Sequence, residues 1–319
     1  MNMNILVTGA NGQLGNELRL ASLNSSHSFV FADICEETAE SCAMLSFLAS
    51  RPVNTATVML DITNPEAIGA AVREMNIDAV VNCAAFTNVD AAESNEALAA
   101  KLNADSPGYL AAAMKERGGL LVHISTDYVF GREPFNTPCR EDREGTPTGV
   151  YGLSKLKGEQ LISQSGCKSV IVRTAWLYSE FGKNFCRTMM SLTSSRPSVK
   201  VVFDQAGTPT YAGDLARALL KILDDYVAEG DCFTRFGIYN YSNEGVCSWF
   251  DFARMTARFA GNAACEVLPC HSSEFPSPVV RPSYSVLDKT KVKETFGVAV
   301  PYWVDSLELC VKNLLSVYV

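Results

Sequence analysis

The chain has 319 residues with a formal net charge of -8, a pI near 5.1, 47% apolar residues and a mean hydropathy of +0.06. That composition describes a folded chain able to bury a substantial core, and it excludes nucleic acid as a main partner, because phosphate backbones demand clustered Lys and Arg. No apolar run approaches the length of a membrane span, so no membrane partner is expected. The N-terminus passes from Met1-Asn2-Met3-Asn4 into Ile5-Leu6-Val7 without a basic segment or a small-residue cleavage site, and a cytoplasmic protein is the expectation. Its 11 cysteines are odd in number, scattered and free of CxxC pairs, which argues against both a disulfide framework and a structural zinc site. Cys265, Cys270 and His271 come nearest to a ligand cluster, but they are too few and too widely spaced, and no metal is expected.

In chain order, short β-branched runs alternate with helix-compatible stretches, the pattern of βαβ units on a parallel sheet. Strands are predicted at residues 4–8, 28–32, 57–60, 79–83, 120–125 and 169–174, several of them apolar throughout, as strands covered on both faces should be. Helices are predicted after Gly12 and over 65–75, 95–117 and 151–165. Asp61-Ile62-Thr63-Asn64-Pro65-Glu66 sets capping residues ahead of a Pro and an acidic first turn, which marks a helix start. The stretch 34–55 is long and poorly patterned, and a surface excursion is expected there. Past Trp176 the alternation loosens. The expected architecture is therefore a doubly wound α/β fold, with a Rossmann-type dinucleotide domain over 1–176 and a smaller substrate domain over most of 177–319. Residues 236–241 are a candidate to return to the edge of the main sheet.

Gly9-x-x-Gly12-x-x-Gly15 follows a strand and opens a helix, the setting in which such glycines carry meaning. Gly9 and Gly12 let the backbone turn and approach a pyrophosphate at the helix N-terminus, and Gly15 allows close helix packing. Asp33, about twenty residues on, is placed to accept hydrogen bonds from an adenosine ribose, which favours NADH over NADPH unless a cation such as Arg51 folds back over that site. Tyr151 and Lys155 are four residues apart and share a helix face. There the cation is expected to lower the phenol's pKa and make it a proton donor near neutral pH. His27, His123 and His271 are read as structural.

These motifs, in this order, resemble the extended short-chain dehydrogenase/reductases and, within them, the dTDP-4-dehydrorhamnose reductase family. The resemblance rests on Gly9-Ala10-Asn11-Gly12-Gln13-Leu14-Gly15, on Val81 to Glu93, on Ser125-Thr126-Asp127-Tyr128-Val129-Phe130 and on Val150-Tyr151-Gly152-Leu153-Ser154-Lys155. It continues through Arg173-Thr174-Ala175-Trp176, Gly182-Lys183-Asn184-Phe185, Asp204-Gln205-Ala206-Gly207-Thr208-Pro209-Thr210, Arg281-Pro282 and Leu287-Asp288. It implies reduction of a C4 ketone on a dTDP-linked deoxysugar by hydride from NADPH or NADH, with Tyr151 as proton donor. Lys155 is implied on the nicotinamide ribose and Thr126 on the carbonyl. Gln13 and Leu14 are implied near the pyrophosphate, Asp61 and Ile62 near the adenine, and Ala85, Phe86 and Thr87 along the cofactor. Thr126, Asp127 and Trp176 are implied around the sugar.

Two departures stand out. Some family members hold Mg2+ between subunits with a Glu where Glu17 stands, but residues 193–197 offer no carboxylate partner, so a monomer and a homodimer are both left open. Phe86 occupies a position where a polar-capable side chain is common. The alternatives are another nucleotide-sugar reductase or epimerase, and a non-catalytic dinucleotide-binding partner similar to the regulatory β subunit of methionine adenosyltransferase.

Overall fold

The structure is a computed structural model that describes residues 2–132, 136–275 and 277–317. Its first half runs β1 (Asn4–Thr8), α1 (Gln13–Ser22), β2 (Ser28–Asp33), α2 (Ala39–Leu48), β3 (Val58–Met59), α3 (Pro65–Glu74), β4 (Ala79–Asn82), α4 (Val89–Ala92) and α5 (Glu96–Ala100). A π-helical turn, Lys101–Asp105, then leads into α6 (Ser106–Arg117), β5 (Leu120–Thr126), α7 (Val150–Ser165) and β6 (Lys168–Thr174). The second half runs β7 (Leu177–Tyr178), α8 (Phe185–Ser195), β8 (Ser198–Val202), β9 (Ala206–Gly207), β10 (Thr210–Tyr211), α9 (Ala212–Glu229) and β11 (Gly237–Asn240). It closes with β12 (Cys247–Ser248), α10 (Trp249–Phe259), β13 (Glu266–Cys270), α11 (Thr290–Phe296) and α12 (Trp303–Val317). No described helix is long and apolar enough to cross a membrane.

Seven strands form one parallel sheet in the order β11-β6-β5-β4-β1-β2-β3. Alternate residues feed two cores. Ile5, Val7, Val81 and Val122 pack toward α1 and α9. Leu6, Val80 and Leu121 pack toward α3, α6 and α7. Strand order reverses between β1 and β4, which opens a crevice at the carboxyl ends of the strands, the usual ligand position in such sheets.

The helix starting at Pro65 forms as its sequence predicts, with Asn64 Oδ1 accepting from Ala67 N at 3.1 Å. Two expectations need correction. Residues 34–55 are not a mere surface excursion, because they contain α2, whose Met44 and Leu45 are buried with Leu307, Cys310 and Leu314 of α12. That helix is apolar around much of its girth and its partner lies at the far end of the chain, so no local periodicity marks it. The stretch 95–117 is helical but not uniform, since the π turn at 101–105 interrupts it. The chain beyond 176 rejoins the sheet at the segment that the sequence offers as a candidate, 236–241. Helix α9 packs on α1, and β11 pairs with β6, placing residues 237–240 at the sheet edge. The remaining lobe is built mainly on the β8–β13 pair with α8 and α10.

Candidate active site

The glycine-rich turn connects β1 to α1 at the crevice. Gly9 has φ +65, and a Cβ there would lie 2.5 Å from Ala84 N, while a Cβ on Gly15 would lie 2.4 Å from Ala10 O. Only glycine fits either place. Gly12 caps α1 in extended conformation with no side chain over the helix end, so the first free N–H groups of α1 open into the crevice. Gln13 begins that helix with Oε1 buried and without a partner, whereas Leu14 turns into the core. An open helix N-terminus and an orphaned amide oxygen suit a dinucleotide pyrophosphate and its neighbouring hydroxyls.

Asp33 ends β2 next to this turn. Its Oδ2 accepts from Asn11 N at 3.0 Å and its Oδ1 from Ile34 N at 2.7 Å. Arg51 is exposed, and the cation that approaches the site is Arg19. Its guanidinium is fully buried and donates to Asn54 O (2.9 Å), Ala56 O (3.1 Å), Asn11 Oδ1 (2.9 Å) and Thr57 Oγ1 (2.9 Å). Arg19 therefore tethers the loop before β3 with its four terminal N–H groups, and its remaining Nε–H is buried 3.9 Å from Glu37 Oε2, so the guanidinium is committed to the protein rather than to a 2′-phosphate. Asp33→Ser is expected to raise the kcat/KM ratio for NADPH over NADH by about 10-fold, by removing a charge within roughly 4 Å of that phosphate. Steady-state assays with the two cofactors would show it, and an unchanged ratio would mean that Asp33 does not face the ribose.

Asp61 lies two residues past β3, which pairs with the end of β2; it is exposed and accepts from Thr63 N at 2.8 Å. Ile62 is 3% exposed and packs into the core, which leaves only its backbone to meet a nucleotide. Ala85, Phe86 and Thr87 form the loop after β4. Asn103 clamps this loop at Phe86, accepting from Phe86 N (2.8 Å) and donating to Phe86 O (3.0 Å), and its amide nitrogen also lies 3.1 Å from Ser154 Oγ. Asn103 sits within the π turn, which ties the loop to α7.

Thr126 ends β5, Asp127 follows in a 3-10 turn, and Tyr151 and Lys155 approach from α7. Burial pushes the Tyr151 pKa above its usual value. A hydrogen bond with Thr126 pulls it down, and the Asp127 and Tyr128 charges push it up again. The expected lowering by Lys155 is not present, because its ammonium turns to Ile124 O (2.6 Å) and His123 Nε2 (3.4 Å). Burial brings Lys155 down to about 8 against the charges of Glu159 and Cys83. The phenol is thus fully protonated at neutral pH, the state a donor needs. Asp127 is 2% exposed, burial raises its pKa to about 6, and its Oδ2 is buried without a partner.

Trp176 has φ +49 and stacks on Trp249 with 3.6 Å between ring centroids. Gly207 makes room for it, since a Cβ there would lie 2.6 Å from the indole. This contact is why the Arg-Thr-x-Trp and Asp-Gln-x-Gly segments belong together. Trp249 covers one indole face and itself lines a groove of about 1430 Å³, along with Lys183, Phe185, Arg196, Lys200 and Arg281. Trp249, and Arg281 as a pair with Asp90 at 2.9 Å, were not picked out as site residues by sequence reasoning. The Glu17 carboxyl is buried against Glu180, and burial followed by the Glu180 charge raises its pKa well above normal. Glu180 in turn accepts from Tyr211 Oη (3.0 Å) and Asn313 Nδ2 (2.5 Å). Among the described residues no group of three or more His, Cys, Asp or Glu could hold a metal ion.

A nucleotide crevice, a protonated Tyr beside a buried Lys, and a large groove on the second lobe are the elements of a sugar-nucleotide reductase. The family described as the RmlD substrate binding domain matches residues 3–316. A dTDP-4-dehydrorhamnose reductase of Burkholderia thailandensis is 38% identical, over 98% of this chain and 100% of that protein. The chain belongs to the dTDP-4-dehydrorhamnose reductase family. Among solved structures of this family, one from Clostridium acetobutylicum is similar with a TM-score of 0.84 and 38% identity, covering 98% of this chain and 100% of that one. Another, from Bacillus anthracis in complex with NADP, has a TM-score of 0.79 and 32% identity over 97% of this chain and 99% of that one.

Proposed function

We propose that the protein reduces the C4 ketone of dTDP-4-dehydro-L-rhamnose to give dTDP-L-rhamnose, using NADPH or NADH. The observation that carries this reading is that Tyr151 and Lys155 of α7 both meet the carboxyl end of β5, where Thr126 hydrogen-bonds the phenol and Ile124 O holds the ammonium. When bound, the dihydronicotinamide supplies the hydride that reaches C4. Tyr151 donates its Oη proton to the carbonyl oxygen as charge develops there, and Thr126 holds that hydroxyl in line. Lys155 offers its one remaining ammonium N–H to the nicotinamide ribose. The orphaned Oδ2 of Asp127 accepts from a sugar hydroxyl, so that the substrate satisfies an oxygen the protein leaves buried.

The groove of the second lobe takes the nucleotide portion. Lys183, Arg196, Lys200 and Arg281 along its walls suit a diphosphate, and Phe185 and Trp249 offer faces for a base. All 11 cysteines are free, which fits a reducing, cytoplasmic setting. The deciding experiment follows nicotinamide absorbance when purified protein meets dTDP-4-dehydro-L-rhamnose, in parallel with NADH and NADPH. Consumption that depends on the sugar nucleotide is the expected result. Folded protein that binds dinucleotide but consumes neither cofactor would overturn the reading in favour of another sugar nucleotide or a partner role.

A further inference from the structure

Strands β1, β4 and β5 are neighbours, and their register sets Thr8 opposite Asn82 and Asn82 opposite His123. These three polar residues share a sheet face with Leu6, Val80 and Leu121, two positions upstream in each strand, and that face is covered by α3, α6 and α7. Thr8, Asn82 and His123 are each 0% exposed and Lys155 is 2% exposed. A continuous chain of contacts joins them. Thr8 Oγ1 lies 2.7 Å from Asn82 Oδ1, the Asn82 amide nitrogen 3.0 Å from His123 Nδ1, and His123 Nε2 3.4 Å from Lys155 Nζ. Such a row beneath an apolar sheet face is costly unless each member is satisfied. It ends on the cation of the reaction.

We propose that His123 is a positioning residue for Lys155: a neutral imidazole, fixed as the Nδ1–H tautomer by Asn82, presents its Nε2 lone pair to the Lys155 ammonium and keeps it charged and aimed at the crevice. This rests on the reading of Tyr151 and Lys155 given above.

The tautomer follows from donor and acceptor capacity. An ammonium only donates, so Nε2 must accept and the ring proton must sit on Nδ1. This pattern requires the Asn82 amide reversed from the placement above, an exchange of O and N within the same heavy-atom positions: its oxygen then receives that proton and its nitrogen donates to Thr8 Oγ1. With the amide as placed above, Asn82 donates to Nδ1 and accepts from Thr8 Oγ1, and the remaining ring proton on Nε2 faces Lys155, which only an uncharged amine could accept. The same heavy-atom positions therefore support two patterns, one for each charge state of Lys155. Burial, reinforced by the Lys155 charge, holds the His123 pKa well below its usual value, so the ring stays neutral in both.

Other groups face Lys155 from the surrounding elements. Glu159 lies one turn along α7 and is itself paired with Arg173 of β6, Cys83 follows β4, and Asp127 and Tyr128 flank Tyr151. None of them gives the ammonium a hydrogen-bond acceptor. That role falls to Ile124 O and His123.

The test is kcat against pH, at saturating NADPH and dTDP-4-dehydro-L-rhamnose, for the full-length wild type, His123→Leu and His123→Gln. Loss of the Lys155 ammonium should set the alkaline limb. Without the Nε2 acceptor, His123→Leu is expected to move that limb about one pH unit lower, giving a roughly 10-fold deficit at pH 8.5 and under about 3-fold at pH 6. His123→Gln, whose amide oxygen can accept, should recover much of the shift. A purely packing role would depress activity equally at every pH, and a limb that stays in place would overturn the proposal. Imidazole 15N spectra of the wild type give a second reading that needs no turnover and no folded variant. Protonation on Nδ1 at neutral pH is expected, and protonation on Nε2 would overturn the proposal. A wild type inert at every pH would be the failure of the reductase reading, and the spectra would still decide the hydrogen-bond pattern.

Discussion

Tyr151→Phe is expected to lower kcat by about 100-fold or more while dinucleotide affinity changes by less than about 2-fold, the signature of a lost general acid. The ring persists in the variant, so its edge-to-face contact with Tyr128, 5.4 Å between centroids, is retained and packing is little disturbed. Only the hydroxyl and its hydrogen bond with Thr126 are removed. Tyr128 is poorly placed to substitute, because its hydroxyl oxygen is held 3.4 Å from the Arg281 guanidinium. Thr126 remains in the variant as a neutral donor, which polarises a carbonyl but is too weak an acid to replace the phenol. Stopped-flow single turnover separates the chemical step from cofactor binding measured by fluorescence. Unchanged turnover would remove Tyr151 as donor. A parallel loss of dinucleotide affinity would instead assign the hydroxyl to cofactor binding.

Those parts of the site that depend on local chain geometry were legible in the sequence. Gly9 and Gly15 are demanded by backbone contacts within one βα unit, Asp33 by its place at a strand end, and Tyr151 and Lys155 by helical spacing. Each leaves a signal at fixed separation. Residues that act through strand register leave none. In the sequence His123 is one apolar-strand histidine with a structural role, and nothing along the chain tells that β4 and β5 align it with Asn82 or that α7 lowers Lys155 onto it. Asn103 was hidden for a related reason, since the sequence of 95–117 suits a continuous helix and the π turn that aims Asn103 at Phe86 arises from packing. The expected Lys155 effect on Tyr151 failed because four-residue spacing establishes a shared face and not a contact. The Ile124 carbonyl competes for the ammonium and wins. Trp176 is marked by its motif, but its stacking partner Trp249 is distant in sequence and only the fold unites them. The same holds for α2, whose burial depends on α12.

Arg173→Leu is expected to destabilise the protein by about 3–5 kcal/mol, because it strands the Glu159 carboxylate inside the sheet–helix interface. Arg173 Nε donates to Glu159 Oε1 at 2.9 Å and its terminal nitrogen to Oε2 at 2.7 Å, with side chains only 4% and 2% exposed. Ser125 Oγ adds a 2.5 Å bond to Oε1, and the guanidinium lies over the Phe130 ring, 5.0 Å from its centroid. This cluster joins β5, β6 and α7 within one turn of Lys155, so its loss should lower both the unfolding midpoint, by roughly 10 °C, and kcat. Denaturant unfolding followed by circular dichroism reads the first effect. The double variant Arg173→Leu/Glu159→Leu separates the causes. If the single variant suffers from an unpaired buried charge, removing Glu159 as well should restore most of the stability, since replacing both members of a buried ion pair by apolar residues is often close to neutral. A double variant as unstable as the single one would show that the bidentate geometry and the Ser125 bond hold α7 in register, and that the pair contributes through positioning more than through charge compensation.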